Sequence, residues 1–440
     1  MKKSFMKRSI MSVIQDWATS ANRMPLVLQG ARQVGKTSLL KEFGRIAFDR
    51  TCYFNFEADP ALASVFEGSL SPHDLRPRLE AVAGAAITPR TLVIFDEVQS
   101  CRRALTSLKY FCEEAPDLPI VAAGSLLGVS LRPSDSGWPV GKVKTLTLFP
   151  MDFPEFLRAM GDERLLSIIE EAWSENRPLE ALFHERLMRR VREYLVIGGM
   201  PAVVGIARDA GDFGADAWSQ VREAQAGLLG NSLADMARYA PPREAVRVEA
   251  CFRSLPAQLG KPNQKFMYRV VKSGATAARF EYAIDWLVHA GLVIPVRRVS
   301  TAERPLRIYE EDGAFKAFLM DTGLFGAMAG FRPADILGET HTRSFGGLTE
   351  TFVAQSLRAR FPELHYWESD GRAEVDFVVE DASGRILAIE AKSGASVKAK
   401  SLGVFMERHK DARAIRISGK NFGTPGAIRS VPLYAAGFVE

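Results

Sequence analysis

The sequence predicts an α/β fold, with a doubly wound parallel sheet in the N-terminal part, helices through the middle and a second α/β domain at the C-terminal end. Three observations carry this. "GARQVGKTSLLKEF", from Gly30 to Phe43, sets a glycine-rich turn between a short apolar run and a helical pattern. "TLVIFDEVQS" is an apolar run that ends in paired acids. "EVDFVVEDASGRILAIEAKSG" reads as two strands joined by a turn, with acids and a lysine on one face.

The chain has 440 residues, more than one hydrophobic core ordinarily serves, so several domains are expected. Composition is that of a globular protein, 47% hydrophobic and 25% charged. A net charge of +5 permits nucleic-acid contact without arguing strongly for it. Cys52, Cys101, Cys112 and Cys251 are scattered and have no zinc spacing, which suits a reducing cytoplasm. Lys7 and Arg8 interrupt any apolar core in the N-terminal stretch, so a signal peptide is not expected. The most apolar segment, "LPIVAAGSLLGVSL", is about 14 residues, too short to span a bilayer. The expectation is a cytoplasmic protein with no membrane partner.

Leu26–Gln29 after Pro25 suits a buried parallel strand. The G-x-x-x-x-G-K-T loop that follows is the pattern of a phosphate-binding loop. Gly30, Ala31, Arg32, Gln33, Val34 and Gly35 would turn backbone N–H groups toward phosphate oxygens. Lys36 would reach the β- and γ-phosphates, Thr37 would place its hydroxyl on Mg2+, and Ser38, next in the helix, is counted with them as nucleotide-binding. The expected ligand is ATP with Mg2+.

In "TLVIFDEVQS", Asp96 ends a strand and is placed to hold the Mg2+ shell, and Glu97 to orient and deprotonate a water. Alone, the stretch would read as a solvated acidic turn; a preceding phosphate loop lowers that weight. "LPIVAAGSLLGV" gives a further strand ending at Gly124-Ser125. Ser125 fits a γ-phosphate sensor and a helix N-cap about equally. "TCYFNFEADP" and "KTLTLFP" bring the strands to five, alternating with helices.

"LQGARQVGKT", "IFDEVQ", "AAGSLL", "LFPMDFPEFL" and "YLVIGGMPAVV" occur in this order, and the chain resembles the AAA+ ATPases of bacteria and archaea whose C-terminal half is a domain of unknown function. The resemblance implies ATP hydrolysis with Mg2+ and self-association into a homo-oligomer, such as a ring. In the family a Gly-Arg pair follows the Gly-Ser strand. Here it reads Gly141-Lys142, which keeps the charge and loses the planar fork.

Residues 161–245 show helical periodicity, as in "ERLLSIIEEAW", with "GGMP" (198–201) as a turn between helices. By resemblance this is a helical lid. Over 246–335, two helices and a small hairpin give the outline of a winged helix. Arg297, Arg298 and Arg279 would then meet DNA. An interdomain spacer fits slightly better, because Glu281 and Asp285 stand where a recognition helix prefers basic and amide residues. "KAFLMDTGLFGAM" is expected to be structural.

In residues 336–440, "DFVV" is a strand that starts at Asp376, "EDASG" a turn and "RILAIEAK" a second strand. Glu390 and Lys392 share one face, two residues apart, and the hairpin brings Asp376 near them. This D-x(n)-E-x-K arrangement belongs to restriction-endonuclease-like folds. Asp376 and Glu390 would hold Mg2+ or Mn2+, and Lys392 would position water or stabilise phosphate charge. Glu350, on an amphipathic helix, is the fourth candidate. The plain alternative is a solvated hairpin. The histidines, His184, His289 and His365 among them, show no metal spacing and read as core or surface residues. The expected domains are a P-loop ATPase core with an N-terminal helix (1–160), a helical lid (161–245), a winged-helix-like domain (246–335) and an endonuclease-like domain (336–440). DNA is the expected partner of the last.

Overall fold

The computed structural model describes residues 5–130, 138–211, 213–261, 264–338, 345–369, 373–393 and 400–440. The chain divides into two compact units: residues 1–149 with 289–291, and residues 150–288 with 292–440.

The first unit is built on five strands: β1 (Leu26–Gln29), β2 (Arg50–Asn55), β3 (Thr91–Asp96), β4 (Ile120–Gly124) and β5 (Lys144–Thr147). Their order is β2-β3-β4-β1-β5, and every pairing is parallel. β3 and β4 are buried along their whole length, as expected of strands covered by helices on both faces. Phe54, Phe66 and Phe95 fill one side, with ring centroids 5.5–5.9 Å apart. β2 lies at one edge and ends the sheet with an exposed Arg50. β4 sits between the strand that leads into the glycine loop and the strand that ends in Asp96. All four cysteines are free thiols.

The second unit carries a mixed sheet of seven strands. These are β6 (Val293–Val299), β7 (Glu310–Leu319), β8 (Leu364–Ser369), β9 (Ala373–Glu380), β10 (Ile386–Ala391), β11 (Arg413–Ser418) and β12 (Ile428–Pro432). The order is β12-β11-β10-β9-β8-β6-β7. β10, β11 and β12 run parallel, β9 and β10 form an antiparallel hairpin, and β6 pairs parallel with β8. Val299, Trp367, Val375 and Phe405 lie in one of its buried clusters.

The hairpin expected as a wing continues this sheet: Val296 is in register with Leu364 and Val299 with Trp367. Strands β6 and β7 are therefore not set apart from the last hundred residues. Arg298 is paired with Glu311 at 3.2 Å and Arg297 with Glu310 at 3.6 Å, so both guanidinium groups meet acids of their own unit.

The helices expected as a lid also belong to this second unit. Tyr194, on the helix Ala181–Ile197, packs against Phe352 of the helix Phe345–Arg358, with centroids 5.7 Å apart. Its hydroxyl accepts from Gln355 Nε2 at 2.8 Å and donates to the Met151 carbonyl at 2.5 Å.

"GGMP" and "DTG" meet here. Asp321 caps the helix Thr322–Met328 through the Leu324 N–H at 2.9 Å and accepts the Gly199 N–H at 2.6 Å. Gly198 has φ +78°, and a Cβ there would stand 2.2 Å from Asp321 Oδ1, so only glycine lets the turn close on the carboxylate.

Candidate nucleotide-binding and acidic sites

The glycine loop leaves β1 at Gly30 and enters the helix Lys36–Ala47 at Gly35. Gly30 has φ +148°, and a Cβ there would lie 2.2 Å from the Leu148 carbonyl oxygen. Gly35 caps the helix with φ 98°, in the left-handed region. Arg8, ahead of the first helix, braces the loop from behind. Its guanidinium donates to the Val34 carbonyl at 2.8 Å and to the Phe149 carbonyl at 2.6 Å. Ala31 and Val34 are buried, whereas Gln33 and Ser38 are exposed. Arg32 pairs with Glu57 at 2.9 Å.

The Lys36 ammonium donates to the carbonyls of Gly30 and Ala31, both at 2.9 Å. Burial pulls its pKa down to about 8, against the opposing charges of Glu97 and Asp96. Thr37 Oγ1 donates to Asp96 Oδ2 at 2.7 Å. Residues 59 positions apart thus place two hard oxygen donors side by side. That donor set fits Mg2+, which favours carboxylate, hydroxyl, water and phosphate oxygens. Tyr53, on the neighbouring strand β2, donates its hydroxyl to the same Asp96 oxygen at 2.7 Å.

Glu97 has φ 51°, a left-handed conformation costing about 1–3 kcal/mol in a non-glycine residue and typical of functional positions. Its Oε2 accepts from Gln99 Nε2 at 2.6 Å and from Ser125 Oγ at 3.1 Å. The Ser125 hydroxyl thus reaches Glu97 from the end of β4. Lys142 pairs with Glu113 at 3.0 Å on the surface.

In the second unit, Asp376 lies within β9 rather than at its start. Phe377 is in register with Ile389, so one further residue sets Asp376 opposite Glu390. Asp376 Oδ2 accepts the Ala391 N–H at 2.9 Å. Lys392 Nζ is 3.6 Å from Asp376 and 3.4 Å from Glu390. Glu350 reaches the same place from the helix Phe345–Arg358, and its Oε1 accepts from Gln264 Nε2 at 2.8 Å.

The residue at the centre is Lys316, whose role was expected to be structural. Its side chain is 1% exposed, and its Nζ lies 2.5 Å from Glu374, 3.8 Å from Glu350 and 3.8 Å from Asp376. Strands β7 and β9 are separated by β6 and β8, a lateral span of about 14 Å in a flat sheet, so the sheet must curl here. Burial alone would lower the Lys316 pKa, but Glu350, Asp376 and Glu374 together outweigh it and raise it. Glu350 is pushed up by burial and then by Asp376, and Glu390 is raised chiefly by burial.

Glu350 Oε2 and Glu390 Oε2 are buried and accept no hydrogen bond. Such oxygens fit a cation. The three expected ligands do not close as tightly as a ready-made metal cage. Among the described residues, the trio with ligand atoms all within 4.8 Å of one another is Glu310, Glu363 and His365. His365 is buried, and its Nε2 lies 2.8 Å from Glu310. Ion pairs from Arg297 to Glu310 and from Arg307 to Glu363, each at 3.6 Å, already balance those acids. His184 is held by the Tyr434 hydroxyl at 3.0 Å and the Gly419 carbonyl at 3.1 Å.

Among the described residues, no helix is long and apolar enough to cross a membrane. Three family models match the chain: an AAA domain over residues 22–157, a domain of unknown function (DUF8612) over 188–335 and another (DUF4143) over 345–433. No curated protein matches. Solved structures that resemble the chain include a Walker-type ATPase of Pyrococcus abyssi, at 17% identity over 74% of this chain and 97% of that one, with a TM-score of 0.45. The Aeropyrum pernix ORC1 protein in complex with DNA is 14% identical over 73% of this chain and 90% of its own, with a TM-score of 0.28. AMPPCP-bound DnaA of Aquifex aeolicus is 14% identical over 64% and 88%, with a TM-score of 0.27. These scores are too low to transfer geometry or activity. The family match and the parallel sheet with its glycine loop agree: residues 22–157 match an AAA domain and have an α/β fold with a parallel-sheet P-loop core.

Proposed function

We propose that the protein binds ATP with Mg2+ and hydrolyses it to ADP and phosphate, and that hydrolysis is coupled to an acidic site acting on DNA phosphodiesters. The observation that carries the first part is the contact of Thr37 with Asp96, followed directly by the strained Glu97. Mg2+ would be held by Thr37 and Asp96 and would neutralise charge on the β- and γ-phosphates. Lys36 would exchange its two carbonyl partners for phosphate oxygens. Glu97 would take a proton from the attacking water as its oxygen bonds to the γ-phosphorus and the bridge to the β-phosphate breaks.

Glu97→Gln keeps the shape and removes the base. ATP binding should persist and turnover fall by about 100-fold or more. Unchanged turnover would refute the assignment. Self-association into a ring belongs to the same reading, and light scattering with and without ATP tests it.

For the second unit, the register that sets Asp376 opposite Glu390, with Lys392 beside both, supports an endonuclease-like site. A divalent ion there would supply a water of lowered pKa. Glu350, Asp376 and Glu390 would hold that ion, and Lys392 would stabilise charge on the phosphate. Plasmid and linear single- and double-stranded DNA, with Mg2+ or Mn2+ and with or without ATP, give the test. Cleavage by wild type and not by Lys392→Ala supports the reading. The alternative is a nucleotide-dependent switch whose C-terminal domain holds nucleic acid or protein and cuts nothing. The buried Lys316 among the carboxylates favours it, since an ammonium already meets part of their charge. Absence of cleavage in every condition would select that reading.

A further inference from the structure

We propose that the Lys316 ammonium is a built-in cation standing in place of one metal ion, so that the acidic site of the second unit takes at most one divalent ion. This rests on the reading of Glu350, Asp376 and Glu390 as metal ligands.

Glu350, Glu374, Asp376 and Glu390 bring four negative charges, and Lys316, Lys392 and Arg416 lie within 4 Å of them with three positive ones. With every one of these groups ionised, the cluster is left at −1. One divalent ion takes it to +1, a second to +3, in a place where Lys316 and Glu390 are almost fully buried. Uncompensated buried charge is costly, so the second ion is the one excluded.

The oxygens give the same count. Glu374 Oε1 is engaged by Lys316 at 2.5 Å. Asp376 faces Lys316 with Oδ1 and the Ala391 N–H with Oδ2. Glu350 Oε1 takes Gln264. The buried oxygens without a hydrogen bond are Glu350 Oε2, 3.8 Å from Lys316, and Glu390 Oε2, 3.9 Å from Arg416, and a second ion would have to compete with Lys316 for Asp376 and Glu374 as well.

A second ion would have to displace the ammonium. The Lys316 side chain is only 1% exposed, and its Nζ lies 5.2 Å from the centre of the Tyr366 ring. A displaced ammonium would stay buried and lose its carboxylates.

The test is Mn2+ binding to the full-length, nucleotide-free protein by equilibrium dialysis, with free Mn2+ read by electron paramagnetic resonance. Ions lost in Asp376→Asn are assigned to the acidic site, which keeps any ion of the glycine loop out of the count. Wild type should lose one ion. Lys316→Met should gain a second Asp376-dependent ion or bind its single ion at least tenfold more tightly. Lys316→Arg, which keeps the charge, should match wild type.

Two Asp376-dependent ions in wild type overturn the proposal, whatever the variants do. Equal number and affinity in wild type and a folded Lys316→Met also overturn it and leave the endonuclease-like reading intact. No ion in wild type but one in Lys316→Met supports the built-in cation and removes the metal-dependent reading. No ion in either overturns both. If Lys316→Met fails to fold by circular dichroism, the wild-type count and Lys316→Arg still decide.

Discussion

Ser125 Oγ lies 3.1 Å from Glu97 Oε2, and Gln99 Nε2 lies 2.6 Å from the same oxygen. Two donors from different segments therefore fix one oxygen of the carboxylate and leave the other to meet water. Ser125 then acts through Glu97 and is a positioning residue. In Ser125→Ala the expected result is a fall in kcat of about 3- to 10-fold, the scale of one typical net hydrogen bond of about 1 kcal/mol, with KM for ATP within about twofold of wild type. Steady-state kinetics decide between this and direct γ-phosphate sensing. A sensor would weaken ATP binding and leave ADP binding unchanged.

Tyr53 donates to the Asp96 oxygen that Thr37 also uses, each at 2.7 Å. The phenol is pushed up to about 12 by burial, opposed by a bond from Asn55 and aided by Asp96, so it remains a donor at neutral pH. Tyr53→Phe removes the donor and keeps the ring. The Mg2+ concentration for half-maximal ATPase should rise by roughly fivefold, about 1 kcal/mol. The rate at saturating Mg2+ should change less than about twofold. An unchanged Mg2+ dependence would show that the Tyr53 bond does not tune Asp96.

These two residues show where the sequence is readable. The glycine loop and the paired acids are contiguous and obey backbone rules, so Gly30 to Ser38, Asp96 and Glu97 could be singled out from spacing. The five strands of the first sheet follow from apolar runs punctuated by turns. Tyr53 and Arg8 had no such signal. Tyr53 meets Asp96 across 43 residues and Arg8 meets Phe149 across 141, and only the folded sheet brings them together. The second unit was harder for the same reason. A local pattern of helices and a hairpin does not say which strand lies on the hairpin's other side, and β6 pairs with β8 across more than sixty residues. Lys316 had a faint signal, a lysine inside the apolar run "KAFLM" that would have to face a buried partner.

Lys36 gives a pH prediction for nucleotide binding. Burial lowers it to about 8 while its ammonium faces two carbonyls. Phosphate oxygens would add negative charge and hold its proton. At pH 8 the free protein should therefore take up about half a proton per ATP bound, and at pH 7 about a tenth. Calorimetry in two buffers of different ionisation heat reads this directly. Equal uptake at both pH values would mean that Lys36 is already fully charged before ATP arrives.

Asp321 gives a stability prediction. It is fully buried, and burial raises it from an ordinary value of 3.8 to about 6, although the N–H groups of Gly199 and Leu324 pull the other way. Between these values the folded state binds more protons than the unfolded one, so stability falls as pH rises. The contribution is fully present below pH 4 and is lost on passing pH 6, amounting to about 3 kcal/mol. Asp321→Asn keeps one acceptor and does not titrate. The stability of wild type relative to this variant should therefore drop by about that amount between pH 4 and pH 7, read by urea unfolding of the full chain. A flat difference would mean that the Gly199 and Leu324 N–H groups hold Asp321 ionised at every pH, and that "GGMP" closes on a charge.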